Sequence, residues 1–359
     1  MANISDIERN ISFSYTTFDE YKIGVFIWKI VSPILIILGT VGNSLSIIVL
    51  TRRSIRSSTI SLYLTVLSFT DLVVLYSGLL RQWLIYQFDY DVRHASAFSC
   101  KLNIWIVYSS LDFSAWILVG VTLERMITVW RPHNTQHEVK RKRAVGFIIA
   151  FGAIVLALNS HFLYGLVFRA DKNETHGHAN IQTCVEIDET YYEFFNVTWP
   201  WIDLCAFCAF PLTVIVVGNG LILFKLINSQ RKLRPRHVQT STVNHESGQI
   251  PLAGQCSKIS STTSMLFALN TVFLLSTLPI SIYNIGYTHW ANVANEHGNA
   301  KLDLWWAIVN MLMYVNNSMN FLLYCLSGTK FRREVFRIFF HWRQNRVDII
   351  NVVEDPNNL

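Results

Sequence analysis

Residues 26–50 read FIWKIVSPILIILGTVGNSLSIIVL, 25 residues with one charged group, Lys29, and they run straight into Thr51-Arg52-Arg53. A helix rising about 1.5 Å per residue needs roughly 20 apolar residues to cross a hydrocarbon layer of ~30 Å. This run is long enough, and the arginines after it suit a headgroup surface. Six more stretches of the same kind follow, at about 58–86, 100–124, 143–168, 199–227, 259–287 and 303–327. They account for a 359-residue chain that is 51% hydrophobic and only 15% charged, well short of the ~25% charged residues of a soluble globular protein. Disorder is excluded by 23 Phe, 14 Tyr and 11 Trp, and a disulfide mini-protein by six Cys spread over this length. The expected fold is an all-α membrane protein: an outer tail (1–25), a seven-transmembrane helix bundle (26–327), an amphipathic membrane-surface helix (328–343) and a cytoplasmic tail (344–359). Met1 to Tyr21 lacks the basic-then-apolar pattern and cleavage site of a removable signal, so the first span is expected to be retained.

Basic residues accumulate in loops that are not translocated. Alternate loops, together with the segment after span 7, hold 21 of the 30 Lys and Arg, including Arg52, Arg53, Arg56 and the run Lys140 to Arg143. This places the amino terminus outside and a basic face inside, suited to anionic lipid or an acidic partner. The outer side carries most of the acids. The sequons at Asn3, Asn10, Asn173 and Asn196 all fall on that side, as N-glycosylation requires. Cys100 opens span 3 and Cys184 lies in the outer loop before span 5, where an oxidising exterior allows either a bridge or two free thiols.

Several short motifs stand in order along the spans. Gly42-Asn43 lies in span 1, Leu67 to Leu72 with Asp71 in span 2, Cys100 and Glu124-Arg125 at the two ends of span 3, Pro211 in span 5, Phe273 and Pro279 in span 6, and Asn320 to Tyr324 in span 7. In this order and spacing the chain resembles the rhodopsin-like (class A) G-protein-coupled receptors over residues 26–340, most of all invertebrate neuropeptide receptors. It departs from their usual pattern in places. Glu124-Arg125-Met126 replaces Asp-Arg-Tyr, Phe151 takes the place of the span 4 tryptophan, and Asn219 that of a span 5 tyrosine. Ser276-Thr277-Leu278-Pro279 replaces Cys-Trp-Leu-Pro, and Phe321 replaces a proline in span 7.

The resemblance implies a bridge between Cys100 and Cys184, and a G-protein switch at Glu124, Arg125, Asn320 and Tyr324, with Glu124 holding the neighbouring arginine. It implies hinges at Pro211, Phe273, Thr277 and Pro279. It also implies a sodium-modulated polar network around Asp71 with Asn43, Ser114, Asn316, Asn317 and Asn320; a purely structural hydrogen-bond network is the plainer reading of the same residues. An ionisable group in hydrocarbon costs on the order of 3 kcal/mol or more, so Asp71 should face the bundle interior. So should Asp112, midway along span 3 and turned toward Asn159, His161 or Asp203, as either a structural acid or a deep counter-ion. No cofactor other than the sodium ion is implied.

The outer third of the bundle is rich in aromatic and polar groups. The ligand-pocket candidates are Arg81, Trp105, Val107, Tyr108, Leu111, Asp203, Tyr283, Asn284, Tyr287, Trp306, Asn310 and Tyr314. By resemblance Val107 stands where amine receptors carry an aspartate and Tyr314 where opsins carry the retinal lysine, which argues against both ligands. An acidic outer face and a long loop suit an extracellular peptide, basic or amidated. The expected function is a plasma-membrane receptor for a neuropeptide that activates heterotrimeric G proteins, with arrestin and receptor kinases as family partners and no nucleic acid. A class A receptor for a non-peptide small molecule is the alternative. A polytopic transporter is more remote, since repeated halves and broken helices are not apparent. No catalytic set is present, so an enzyme is not expected.

Overall fold

The computed structural model describes residues 16–130, 137–170, 182–233, 252–327 and 331–338. Each apolar run forms a helix: α1 (Asp19–Leu50), α2 (Thr59–Phe88), α3 (Ala97–Trp130), α4 (His137–Leu158), α5 (from Glu189 to Leu233), α6 (Leu252–Val293) and α7 (Glu296–Ser327). Six of the seven are long and apolar enough to cross a membrane. The remaining one, α7, is as long but carries Asn310, Asn316, Asn317 and Asn320, all buried in the bundle. An internal face can be polar where a lipid-facing one cannot.

α3 is the central post, packing on α2, α4 and α5, while α7 packs closely on α1 and α6. The core runs through Leu67, Val74, Ile117, Ile215, Leu269 and Phe273. Apolar side chains such as Phe26, Ile37, Ile149, Val217 and Leu275 point outward. In water that outer surface would be a liability; in lipid it is the matched solvent face.

Two features depart from a purely helical bundle. The expected fourth span overran its helix: α4 stops at Leu158, one helical turn follows at His161–Gly165, and the chain then enters an antiparallel hairpin, β1 (Leu166–Ala170) on β2 (Gln182–Glu186). The apolar run Leu166-Val167-Phe168 that read as membrane span is strand in the connection between α4 and α5. Second, α2 and α5 are interrupted by π-helical stretches at Leu75–Leu79, Phe194–Thr198 and Leu204–Ala209. Each inserts an extra residue into the turn and frees backbone carbonyls. Two of these are capped from α3: Asn103 Nδ2 donates to Ser77 O (3.0 Å) and Trp116 Nε1 to Ala206 O (3.1 Å). Beyond α7, residues 331–338 form α8, with Phe331, Glu334, Val335 and Ile338 turned toward the bundle and Phe336 exposed.

Candidate functional site

The outer ends of the helices enclose two adjoining chambers. The first, of about 330 Å³, reaches from Gly78, Arg81 and Arg93 across Val107, Tyr108 and Leu111 to Phe207, Asn310 and Tyr314. The second, of about 370 Å³, lies toward α5–α7 among Trp199, Tyr283, Tyr287, Thr288 and Asp303. Tyr108, Phe195, Asp203, Asn284 and Trp306 line both. The roof is the hairpin, fixed to the top of α3 by the Cys100–Cys184 disulfide, and it contributes Leu166, Cys184 and Glu186 to the first chamber. The π stretch in α2 brings Gly78 against Tyr314, where an added Cβ would meet the phenol oxygen at 2.7 Å. Only glycine leaves that room.

Every expected pocket residue lines one of the chambers except Trp105, whose indole N–H donates to Leu156 O on α4 (3.1 Å). The face it turns to was not legible in the sequence. Of the expected sequons, Asn3, Asn10 and Asn173 lie outside the described residues. Asn196 sits in a π-helical turn beside the second chamber, its amide donating to Tyr192 O (2.9 Å).

Charge divides the cavity. At the α2 edge, Arg81 and Arg93 grip Asp91: Arg81 Nε and Nη2 at 2.9 and 3.1 Å, Arg93 Nε and Nη2 at 2.9 and 2.7 Å. Burial works against ionising Asp91, but the hydrogen bonds from Arg81 and Arg93 outweigh it and hold its carboxyl well below the usual carboxylate range. On the opposite side Asp203 faces both chambers, and behind it Asp112 Oδ2 accepts from Asn159 Nδ2 at 2.7 Å. Of the three neighbours expected for Asp112, Asn159 is the one that bonds it. His161 instead pairs its Nδ1 with the Tyr191 hydroxyl (2.8 Å).

Below the cavity Phe207 meets Phe273 edge-on, ring centroids 6.0 Å apart, linking the second π stretch of α5 to α6. Around Pro279, which supplies no backbone N–H, the hydroxyls of Ser276 and Thr277 both donate to Phe273 O (3.0 and 2.7 Å), and Ser281 donates to Thr277 O (3.2 Å). Hydroxyls that bond back to the helix ladder soften it. Deeper still, Asp71 is fully buried and accepts from Ser114 Oγ (3.4 Å), Asn317 Nδ2 (2.8 Å) and Asn320 Nδ2 (2.7 Å). Asn43 joins at one remove, donating to Asn317 O (2.9 Å). Asn316 is buried on the same helix but makes no bond to Asp71.

At the inner end one expected contact is replaced. Glu124 pairs with Arg143 of α4 at 2.8 Å rather than with its neighbour Arg125, whose Nε has no hydrogen-bond partner among the described residues. Successive residues on a helix diverge by about 100°, so adjacent side chains do not face each other. Tyr324 is fully buried and packs on Phe331 of α8 (5.6 Å). Glu334, only 4% exposed, accepts from Arg337 (2.8 Å) and lies 3.8 Å from Arg52, tying α8 to the loop between α1 and α2.

Residues 42–324 match the model of the family described as 7 transmembrane receptor (rhodopsin family). The chain belongs to this family. Among its relatives, the FMRFamide receptor of Drosophila melanogaster is 24% identical over 337 residues, covering 91% of this chain and 56% of the fly protein. The chain thus spans about half the length of that relative. Cysteinyl leukotriene receptor 1 of Sus scrofa is 21% identical over 320 residues (88% and 84%), and the G-protein coupled receptor dmsr-1 of Caenorhabditis elegans 22% over 377 (91% and 71%).

Two residues expected to depart from the usual motifs pack on aromatic neighbours in this rhodopsin-family receptor. Phe151, in place of the span 4 tryptophan, stacks on Trp116 (4.5 Å) and Phe147 (4.3 Å). Phe321, in place of the proline, packs edge-on against Phe331 (5.8 Å). Sequence reasoning missed Arg93, Glu186 and Phe207 as cavity residues and Arg143 as the partner of Glu124. Arg143 belongs to a basic run that reads as a topological signal, and nothing local marks it as the member that turns inward.

Proposed function

We propose that the chain is a plasma-membrane receptor, amino terminus outside, whose outer cavity binds a peptide and whose inner face activates a heterotrimeric G protein. The observation that carries this reading is the pair of joined chambers under a disulfide-pinned hairpin, lined with aromatic and charged groups and continuous through Phe207–Phe273 with the softened turn at Pro279. An elongated ligand can fill both chambers and press on Phe207. A shift of α6 about its hinge would then open the inner end near Arg125 and Tyr324. The names of the FMRFamide and dmsr-1 relatives support the peptide and the G protein as partners. Nucleotide exchange is then the partner's chemistry, and arrestin and receptor kinases are further partners by family.

The Asp71 cluster fits a sodium ion as a site of acceptor oxygens. Besides the carboxylate and Ser114, the buried amide oxygens of Asn43 and Asn317 have no hydrogen-bond partner among the described residues, and hard cations take oxygen ligands. A bound ion would supply positive charge beside Asp71. The test is sodium-dependent thermal stability that Asp71→Asn abolishes.

The functional test is a peptide library applied to cells expressing the chain, with calcium and cyclic-AMP readouts. Responses to amidated peptides that fall when Tyr287 or Asp303 is replaced support the proposal. The leukotriene receptor among the relatives favours a second reading, a compact non-peptide ligand in the first chamber alone. That reading gains if second-chamber substitutions leave potency unchanged.

A further inference from the structure

Asp203 is 8% exposed, its remaining exposure is to the cavity, and it accepts no hydrogen bond from the described residues. Asp112 is 1% exposed; one oxygen is held by Asn159, and among the described residues neither its other oxygen nor the Asn159 side-chain oxygen has a partner. The two carboxylates feel each other's charge. Among the described residues neither takes part in an ion pair, and the cavity arginines that could reach across, Arg81 and Arg93, are both engaged by Asp91.

Isolated carboxylates in a low-dielectric site are costly unless a cation or a proton neutralises them. The space in front of Asp203 suits a cation from outside. It is walled by Tyr108, Phe195 and Trp199, and aromatic faces attract positive charge. A planar guanidinium, which stacks on rings and offers a fork of donors, uses both properties better than a compact ammonium does.

We propose that Asp203, backed by Asp112, is the anchor for a guanidinium group of the ligand, with Asn159 acting as a positioning residue that holds Asp112 in place. This deepens the receptor reading and rests on it for the identity of the ligand, but the subsite can be probed without knowing that ligand.

The experiment uses the full chain purified in lipid nanodiscs, with arginine amide as the probe and citrulline amide, which has nearly the same shape and the same α-amino group but an uncharged side chain, as its control. Arginine amide at millimolar concentration is expected to raise the thermal midpoint by several degrees, and citrulline amide is not. Asp203→Asn should weaken arginine amide at least tenfold and Asp112→Asn about threefold, while Asp19→Asn, an exposed acid at the start of α1, should leave it unchanged. Equal effects of the two amides on the wild-type chain would overturn the anchor, and that comparison needs no variant to fold. So would an arginine amide response that survives Asp203→Asn, or that Asp19→Asn removes equally. Preference for arginine amide without any peptide-evoked signal would sink the receptor reading alone. Peptide signalling without that preference would sink the anchor alone.

Discussion

Asp71 and Asp203 are both aspartates buried within the same helical bundle, and their surroundings are opposite. Asp71, in the inner half, receives three hydrogen bonds from α3 and α7. Asp203, in the outer half, receives none from the described residues and faces a cavity. A satisfied carboxylate holds helices together. An unsatisfied one destabilises the empty molecule and is stabilised by whatever supplies the missing charge or donors. The Asp71 carboxylate is thus held by the protein's own donors, whereas the Asp203 carboxylate is left for something else to complete.

The largest effect that would break this contrast comes from Asp71→Leu. It strands the amides of Asn317 and Asn320 in the core, each at about 1–3 kcal/mol, so thermal melts of the purified receptor should drop sharply. Unchanged melting would mean that the inner network does not hold the bundle. Next is Asp91→Asn, which loosens the clamp on Arg81 and Arg93 at a cost of about 1–3 kcal/mol. Because the folded-state carboxyl is held below its ordinary value of 3.8, the clamp contributes fully above that value. Its contribution declines as pH falls below it and is lost through the lowered folded value. The gap in melting temperature between wild type and variant should therefore stay constant from neutral pH to about 5 and narrow only in stronger acid.

Asp203→Asn sharpens the contrast by its sign. Removing an uncompensated acid should raise the melting temperature of the ligand-free receptor, by the equivalent of about 1 kcal/mol, whereas Asp71→Asn should lower it. The same sign for both would erase the distinction. The smallest effect concerns Glu124→Ala and Arg143→Ala. The arginine side of this pair is more than a third exposed and the glutamate side is buried, so Glu124→Ala should change stability by less than about 1 kcal/mol, while Arg143→Ala, which leaves the buried carboxylate unpaired, should cost somewhat more. Basal G-protein signalling should rise in both variants at equal surface expression, because each releases the α3–α4 tie. A rise with Glu124→Ala alone would point back to Arg125 as its partner.

Much of the bundle was legible in the sequence, because a span must be apolar over a length set by the bilayer and must end at charge. The inward-facing acids were legible for the same reason: Asp71 and Asp112 have nowhere else to go in hydrocarbon. Overrun at Leu166 has the complementary cause, since an apolar run in a disulfide-pinned strand has the same composition as the end of a span. Trp105 shows the limit on side-chain direction, as an aromatic at the membrane boundary is equally at home facing lipid, a neighbouring helix or a cavity. The π stretches left no mark in composition. Two of the three have carbonyls taken up by Asn103 and Trp116 of α3, a match made only in the tertiary structure.

By itself, then, the order of residues determined how many times the chain crosses, which face is basic and which polar groups must turn inward, since these follow from transfer between water and lipid, one segment at a time. Tertiary structure alone decided the pairings. Glu124 found Arg143, Arg81 found Asp91, and Asp203 was left facing open space. Those outcomes depend on the rotation and bulging of helices against one another, which hydrophobicity does not encode.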